Sequence, residues 1–104
     1  MNLRSYEALY IVDPKLADAD IEQVIQRLNK VVTDAGGEIS RSEIWERRRL
    51  AYEVAGRREG IYCIMYIDAP AEVPKELYRQ FVIMEPVLRG RVYMRAKEKE
   101  KVAK

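Results

Sequence analysis

The chain's apolar residues between positions 21 and 35 set the first constraint on its fold. Ile21, Val24, Ile25, Leu28, Val31, Val32 and Ala35 recur at intervals of three and four. That spacing puts them on one stripe of an α-helix and leaves the opposite side polar. Such a helix must cover its stripe, so the rest of the chain has to supply an apolar surface. Asp18 is predicted to cap the helix start, with Asp20 and Glu22 favourably placed in the first turn. Gly36-Gly37 follows and can supply the left-handed residue that ends a helix.

The covering surface reads as a sheet. Ser5 to Val12 is short, rich in β-formers and apolar at nearly every position, so it is predicted as a central strand. A second strand is expected from Glu38 to Tyr52 or Val54, long enough to need a bend or bulge near Glu46 to Arg48. Gly56 to Gly60 reads as a turn or hairpin loop, and Ile61 to Ile67 as a third strand without a charge. A second helix opens near Pro74 and turns Val73, Leu77, Phe81 and Met84 inward, and Glu85-Pro86 ends it. Val87 to Arg95 is a last, half-exposed strand.

The order is β-α-β-β-α-β. This is the α+β, ferredoxin-like arrangement, a four-stranded antiparallel sheet with both helices on one face. Strands one and three should be its central pair. Residues 1–96 are predicted as a single domain, with 97–104 as a charged C-terminal tail.

Several chemistries are disfavoured. With one cysteine and no histidine, the chain has neither an internal disulfide nor a Cys/His zinc set. Cys63 lies in an apolar run and reads as a small buried hydrophobe. Charges interrupt every apolar stretch and no signal pattern opens the chain, which predicts a soluble, cytosolic protein. There is no Gly-rich phosphate loop and no plausible nucleophile, so catalysis is not expected. The cluster of Asp13, Asp18 and Asp20 is explained by turn and capping roles. No cofactor is expected. The rival to a binding role is a ferredoxin-like regulatory or oligomerisation module without RNA, which would use the open sheet face for self-association.

Charge is distributed in blocks. Residues 1–46 carry net −4, 47–58 net +4, 59–88 net −3 and 89–104 net +5, which sum to the overall +2. Two basic blocks on an otherwise acidic chain point to a local anionic partner. The first block contains Arg47-Arg48-Arg49, between Trp45 on one side and Leu50 and Tyr52 on the other. On a strand, Arg47 and Arg49 point one way and Arg48 the other. Apolar neighbours anchored on a core would hold these guanidiniums in place, a setting suited to structured RNA.

These residues carry a resemblance. Trp45-x-Arg47-Arg48-x-Leu50-Ala51-Tyr52, followed by Gly60-x-Tyr62 at a strand start, is similar to the family of the sixth protein of the bacterial small ribosomal subunit. The Tyr6-Glu7 opening and the Val87-Leu88-Arg89 entry to the last strand match as well. The likeness spans residues 4 to 96. One departure is Glu46, where many members have glycine; a carboxylate there can pair with a neighbouring arginine. The resemblance implies a non-catalytic, ferredoxin-like ribosomal protein of the cytoplasm. It implies binding to the central domain of small-subunit ribosomal RNA together with the eighteenth small-subunit protein. No membrane and no small-molecule substrate is implied.

The expected RNA contacts are Arg47, Arg48 and Arg49, with Arg57 and Arg58 of the hairpin loop. An ordinary exposed turn explains Arg57 and Arg58 equally well. Arg89, Arg91 and Arg95 alternate along the last strand, share one face and repel each other unless an anion meets them. Arg4 is expected to join that surface. The tyrosines allow base stacking, as in RNA-recognition motifs, but Ile61 and Ile64 stand where aromatics belong. Core or protein-interface roles fit most of them better. Trp45, Leu50 and Tyr52 are the expected partner-protein interface.

Overall fold

A computed structural model describes residues 3–54 and 56–95. Six elements follow in the predicted order: β1 (Arg4–Val12), α1 (Asp18–Asp34), β2 (Glu38–Val54), β3 (Arg57–Ala69), α2 (Val73–Ile83) and β4 (Val87–Met94). The strands form one antiparallel sheet in the order β2-β3-β1-β4. The predicted ferredoxin-like fold is therefore present, with β1 and β3 at its centre. The proposed tail, residues 97–104, lies outside the described residues.

Register decides which side chains meet the helices. Tyr6, Ala8, Tyr10 and Val12 of β1 stand opposite Ile67, Met65, Cys63 and Ile61 of β3, and all eight are buried. Ile21, Val24, Ile25, Leu28 and Val32 of α1 pack on them, joined by Val73, Leu77 and Phe81 of α2. Cys63 is buried as expected, and desolvation pushes its thiol up to about 11. Tyr10 stacks on Phe81 at 5.3 Å between ring centroids, and burial raises its phenol well above the usual range.

Three local expectations need correction. Asp18 does not cap α1. It is the first helical residue, and Ala17, with extended backbone, takes the cap position without a side-chain bond. The Ala17 carbonyl instead accepts from the Asp20 and Ile21 amides. At the other end Gly36 does take a left-handed conformation (φ +88°), and the Gly36 and Gly37 amides donate to Thr33 and Val32. Residues 57–60 are not a loop, because β3 already begins at Arg57, directly after Gly56 at φ +78°. Val54 faces Arg57 across the hairpin end. The bend in β2 falls slightly earlier than expected: the register slips between Ile44 and Glu46, leaving Trp45 as the extra residue. Further slips lie between Ile39 and Arg41 and between Arg49 and Val54.

Candidate nucleic-acid and partner interface

The sheet face away from the helices is open. By register it presents Leu9 and Ile11 of β1, Tyr62, Ile64 and Tyr66 of β3, and Arg89, Arg91 and Tyr93 of β4. On β2 it presents Arg41, Glu43, Glu46 and Arg48. The last part of β2 and the first part of β3 form an arm whose end bends over this face. Gly60 permits the bend, since a Cβ there would overlap Ile11 Cγ2 and lie 3.5 Å from Leu50 Cδ2. Leu50 is buried in that contact. At the arm's tip the Arg89 guanidinium, on the far edge strand, donates to the Tyr52 hydroxyl at 2.8 Å and lies 5.8 Å from its ring centroid.

Of the three expected anchors, only Leu50 is buried. Trp45 and Tyr52 are 47% and 62% exposed. The bulge at Trp45 places its indole on the open face rather than in the core, edge-on to Tyr62 with centroids 6.4 Å apart. The arginine run is thus held by strand pairing, by buried Leu50 and, for Arg48, by the exposed Trp45 and half-buried Tyr62 rings, not by anchors sunk in the core.

The arginines differ in environment. Arg48 is the most fixed: it lies 5.3 Å from the Tyr62 centroid and 5.8 Å from that of Trp45, and its Nε is 2.8 Å from a Glu46 oxygen. The Glu46 carboxylate thus pairs with Arg48. Arg47 and Arg49 stand opposite Ile61 and Glu59, on the other side of the arm. Arg47 makes a loose 3.9 Å pair with Glu59. Among the described residues the Arg49 side chain has no hydrogen-bond or ion-pair partner. All three are exposed.

Arg57 is in a different state. Its Nε and Nη2 donate to the two oxygens of Asp13 at 3.1 and 3.0 Å, a bidentate pair joining residues 44 positions apart. Those bonds, with a further one from the Lys15 amide, hold the Asp13 carboxyl below the usual range and raise the Arg57 guanidinium. Arg58 pairs at 3.3 Å with Glu53 and stays exposed. Arg89 and Arg91 share the open face as predicted, and Arg95 lies 4.1 Å from the Tyr66 centroid. Arg4 falls in register with Ala69, in the set that faces the helices, so it does not share their face.

Sequence reading anticipated an arginine partner for Glu46 but missed Glu43 and the Asp13–Arg57 pair. Arg41 pairs with Glu43 as Arg48 does with Glu46. Opposite charges two residues apart on a strand share a face, and that spacing was available as a signal. Tyr66, flanked by Arg41 and Arg95, was not separable from the other tyrosines.

The model of the ribosomal protein S6 family matches residues 5–93. The chain belongs to the ribosomal protein S6 family. Small ribosomal subunit protein bS6 of Arthrobacter sp. (strain FB24) is 38% identical over 101 residues, covering 97% of this chain and 99% of that protein. The bS6 protein of Streptomyces coelicolor is 40% identical over 90 residues, 86% of this chain and 94% of its own length. A crystal structure of 30S ribosomal protein S6 from Thermotoga maritima shares the fold with a TM-score of 0.86, at 23% identity and over 98% and 96% of the two chains. S6 family membership makes this chain a structural, non-catalytic component of the small ribosomal subunit in the cytoplasm. No helix among the described residues is long and apolar enough to cross a membrane.

Proposed function

We propose that this S6 family member binds the central domain of small-subunit ribosomal RNA through the β2–β3 arm, together with the eighteenth small-subunit protein. The observation that carries the reading is the arm itself. It presents Arg47 and Arg49 on one side and Arg48 on the other, all exposed and all on paired backbone. Their carboxylate contacts are solvent-facing, and such pairs contribute little in water, so phosphate can replace them. Arg48 is already oriented by two rings, which reduces the entropy lost when its planar fork meets a phosphate. Arg58 adds charge at the arm's end. Arg57 is assigned to Asp13 and to the fold rather than to RNA. Exposed Trp45 and Tyr52 are the side chains offered to the partner protein, with Leu50 supporting them from below.

The test is a binding titration against a small-subunit RNA fragment over a range of salt, with and without the eighteenth protein. Changing Arg47, Arg48 and Arg49 together to Ala should flatten the log–log salt slope by about 0.7–0.9 for each phosphate no longer neutralised. The fold should persist, because exposed substitutions of this kind stay within about 0.5 kcal/mol. An unchanged slope removes these arginines from the interface.

A further inference from the structure

The second edge of the sheet has properties that the RNA reading does not use. β4 pairs with β1 alone, so its outer side carries open backbone groups. Which groups they are follows from one bond: the Arg95 amide donates to the Ser5 carbonyl at 2.8 Å. Antiparallel strands turn alternate residues toward their partner. In this register Tyr93, Arg91 and Arg89 direct their amides and carbonyls at β1, while Met94, Val92 and Gly90 direct theirs outward.

The side chains around this edge differ on its two faces. On the helix face, Tyr78 and Val82 stand one turn apart on α2, both more than half exposed, with Tyr78 beside Val92 and Val82 beside the start of β4; Met94, also exposed, lies at the end of that strand. Between Tyr78 and residues 89–93 runs a groove of about 470 Å³. On the open face stand Arg89 and Arg91, two residues apart. Among the described residues the Arg89 side chain is engaged through Tyr52, and the Arg91 side chain has no hydrogen-bond or ion-pair partner.

We propose that the outer edge of β4 receives an extended segment of a partner protein in which apolar and acidic residues alternate, adding a fifth strand to the sheet. The backbone ladder forms at Gly90, Val92 and Met94. Apolar residues of the segment lie against Tyr78, Val82 and Met94, and acidic ones lie beside Arg89 and Arg91. A period of two on both sides matches a strand and nothing helical. A second copy of this chain is a poor occupant, because pairing β4 with β4 sets one arginine row against the other. The exposed Tyr78, Val82 and Met94 favour a peptide over RNA, whose phosphates could still meet Arg89, Arg91 and the three outward amides, so RNA is an outcome the test separates. The site is separate from Arg47, Arg48 and Arg49, the proposed RNA contacts of the β2–β3 arm, although the tip of that arm reaches Arg89 through Tyr52.

The test uses the whole chain, isotope-labelled, and an octapeptide alternating valine and glutamate. Its addition should slow amide exchange at Gly90, Val92 and Met94 while leaving Arg49 and Glu59 unchanged. Arg91→Glu should weaken binding about fivefold and shift preference to the octapeptide alternating valine and lysine. Val92→Pro deletes the central outward donor but none of the bonds to β1, so it should reduce binding with the fold intact. Unprotected amides at those three positions, or equal binding of the valine–lysine peptide to the unaltered chain, would overturn the proposal. So would concentration-dependent protection without peptide, which means self-association, or protection of the same amides by the RNA fragment. The salt slope of the Arg47, Arg48 and Arg49 variant reports on the RNA arm independently of each of these outcomes.

Discussion

The centre of the sheet and the β2–β3 arm are built from the same strand pairing but are held by different forces. At the centre, β1 and β3 interleave aliphatic and aromatic side chains under two helices, and Ala8, Tyr10, Cys63 and Met65 are completely buried. The arm has Leu50 packed beside Gly60 and Ile11, and otherwise exposed pairs such as Arg48–Glu46 and Arg58–Glu53. Burial specifies one structure and leaves nothing free for a partner. Exposed ion pairs specify little but can be exchanged for other anions. The stable part of this molecule and its proposed working part are therefore separate, joined where Gly60 lets the arm lie on the sheet.

Substitutions should separate the two regions. Leu28→Ala removes a fully buried side chain from α1 and should cost about 2–5 kcal/mol in chemical denaturation. RNA affinity measured well below the unfolding midpoint should be unchanged; a parallel loss of both would mean the regions are not separable. Gly60→Ala tests the joint. The added methyl meets branched Ile11, and overpacking of this kind costs about 1–3 kcal/mol. Here stability and RNA binding should fall together, and side-chain NMR should show the Arg89–Tyr52 hydrogen bond broken.

Smaller effects sharpen the contrast within the charged groups. Glu46→Gln frees Arg48 from its carboxylate, so the RNA salt slope should steepen by at most about 0.7–0.9. Stability should stay within about 0.5 kcal/mol. Asp13→Asn should act on the fold alone. The Asp13 carboxyl titrates lower in the folded chain than in the unfolded one, so its contribution is present above the unfolded value and disappears as pH falls through the folded one. The unaltered chain should therefore lose stability in acid more steeply than the Asn variant, with the two curves converging at the lowest pH. Parallel acid limbs would show that the Arg57 pair contributes nothing to folding.

The elements themselves were legible because their signals are local. The stripe from Ile21 to Ala35, the charge-free run from Ile61 to Ile67 and the spacing of Val73, Leu77 and Phe81 each state a period, and a period fixes a face. The arginine run was legible as a feature but not as a geometry. Trp45 looked like an anchor, yet one slipped residue pair moved it onto the open face. Arg57 looked like Arg58, yet only Arg57 meets Asp13.

The order of elements, the faces that must be buried and the family to which the chain belongs were readable from the residues alone, because hydrophobic period and motif spacing are properties of neighbours along the chain. Tertiary structure alone decided which arginines are engaged and which are available. Asp13 and Arg57, or Tyr52 and Arg89, are far apart in sequence, and whether they meet depends on strand register and on a bend over Gly60. Register is set by the sum of contacts across the whole sheet, and no short stretch of residues contains it.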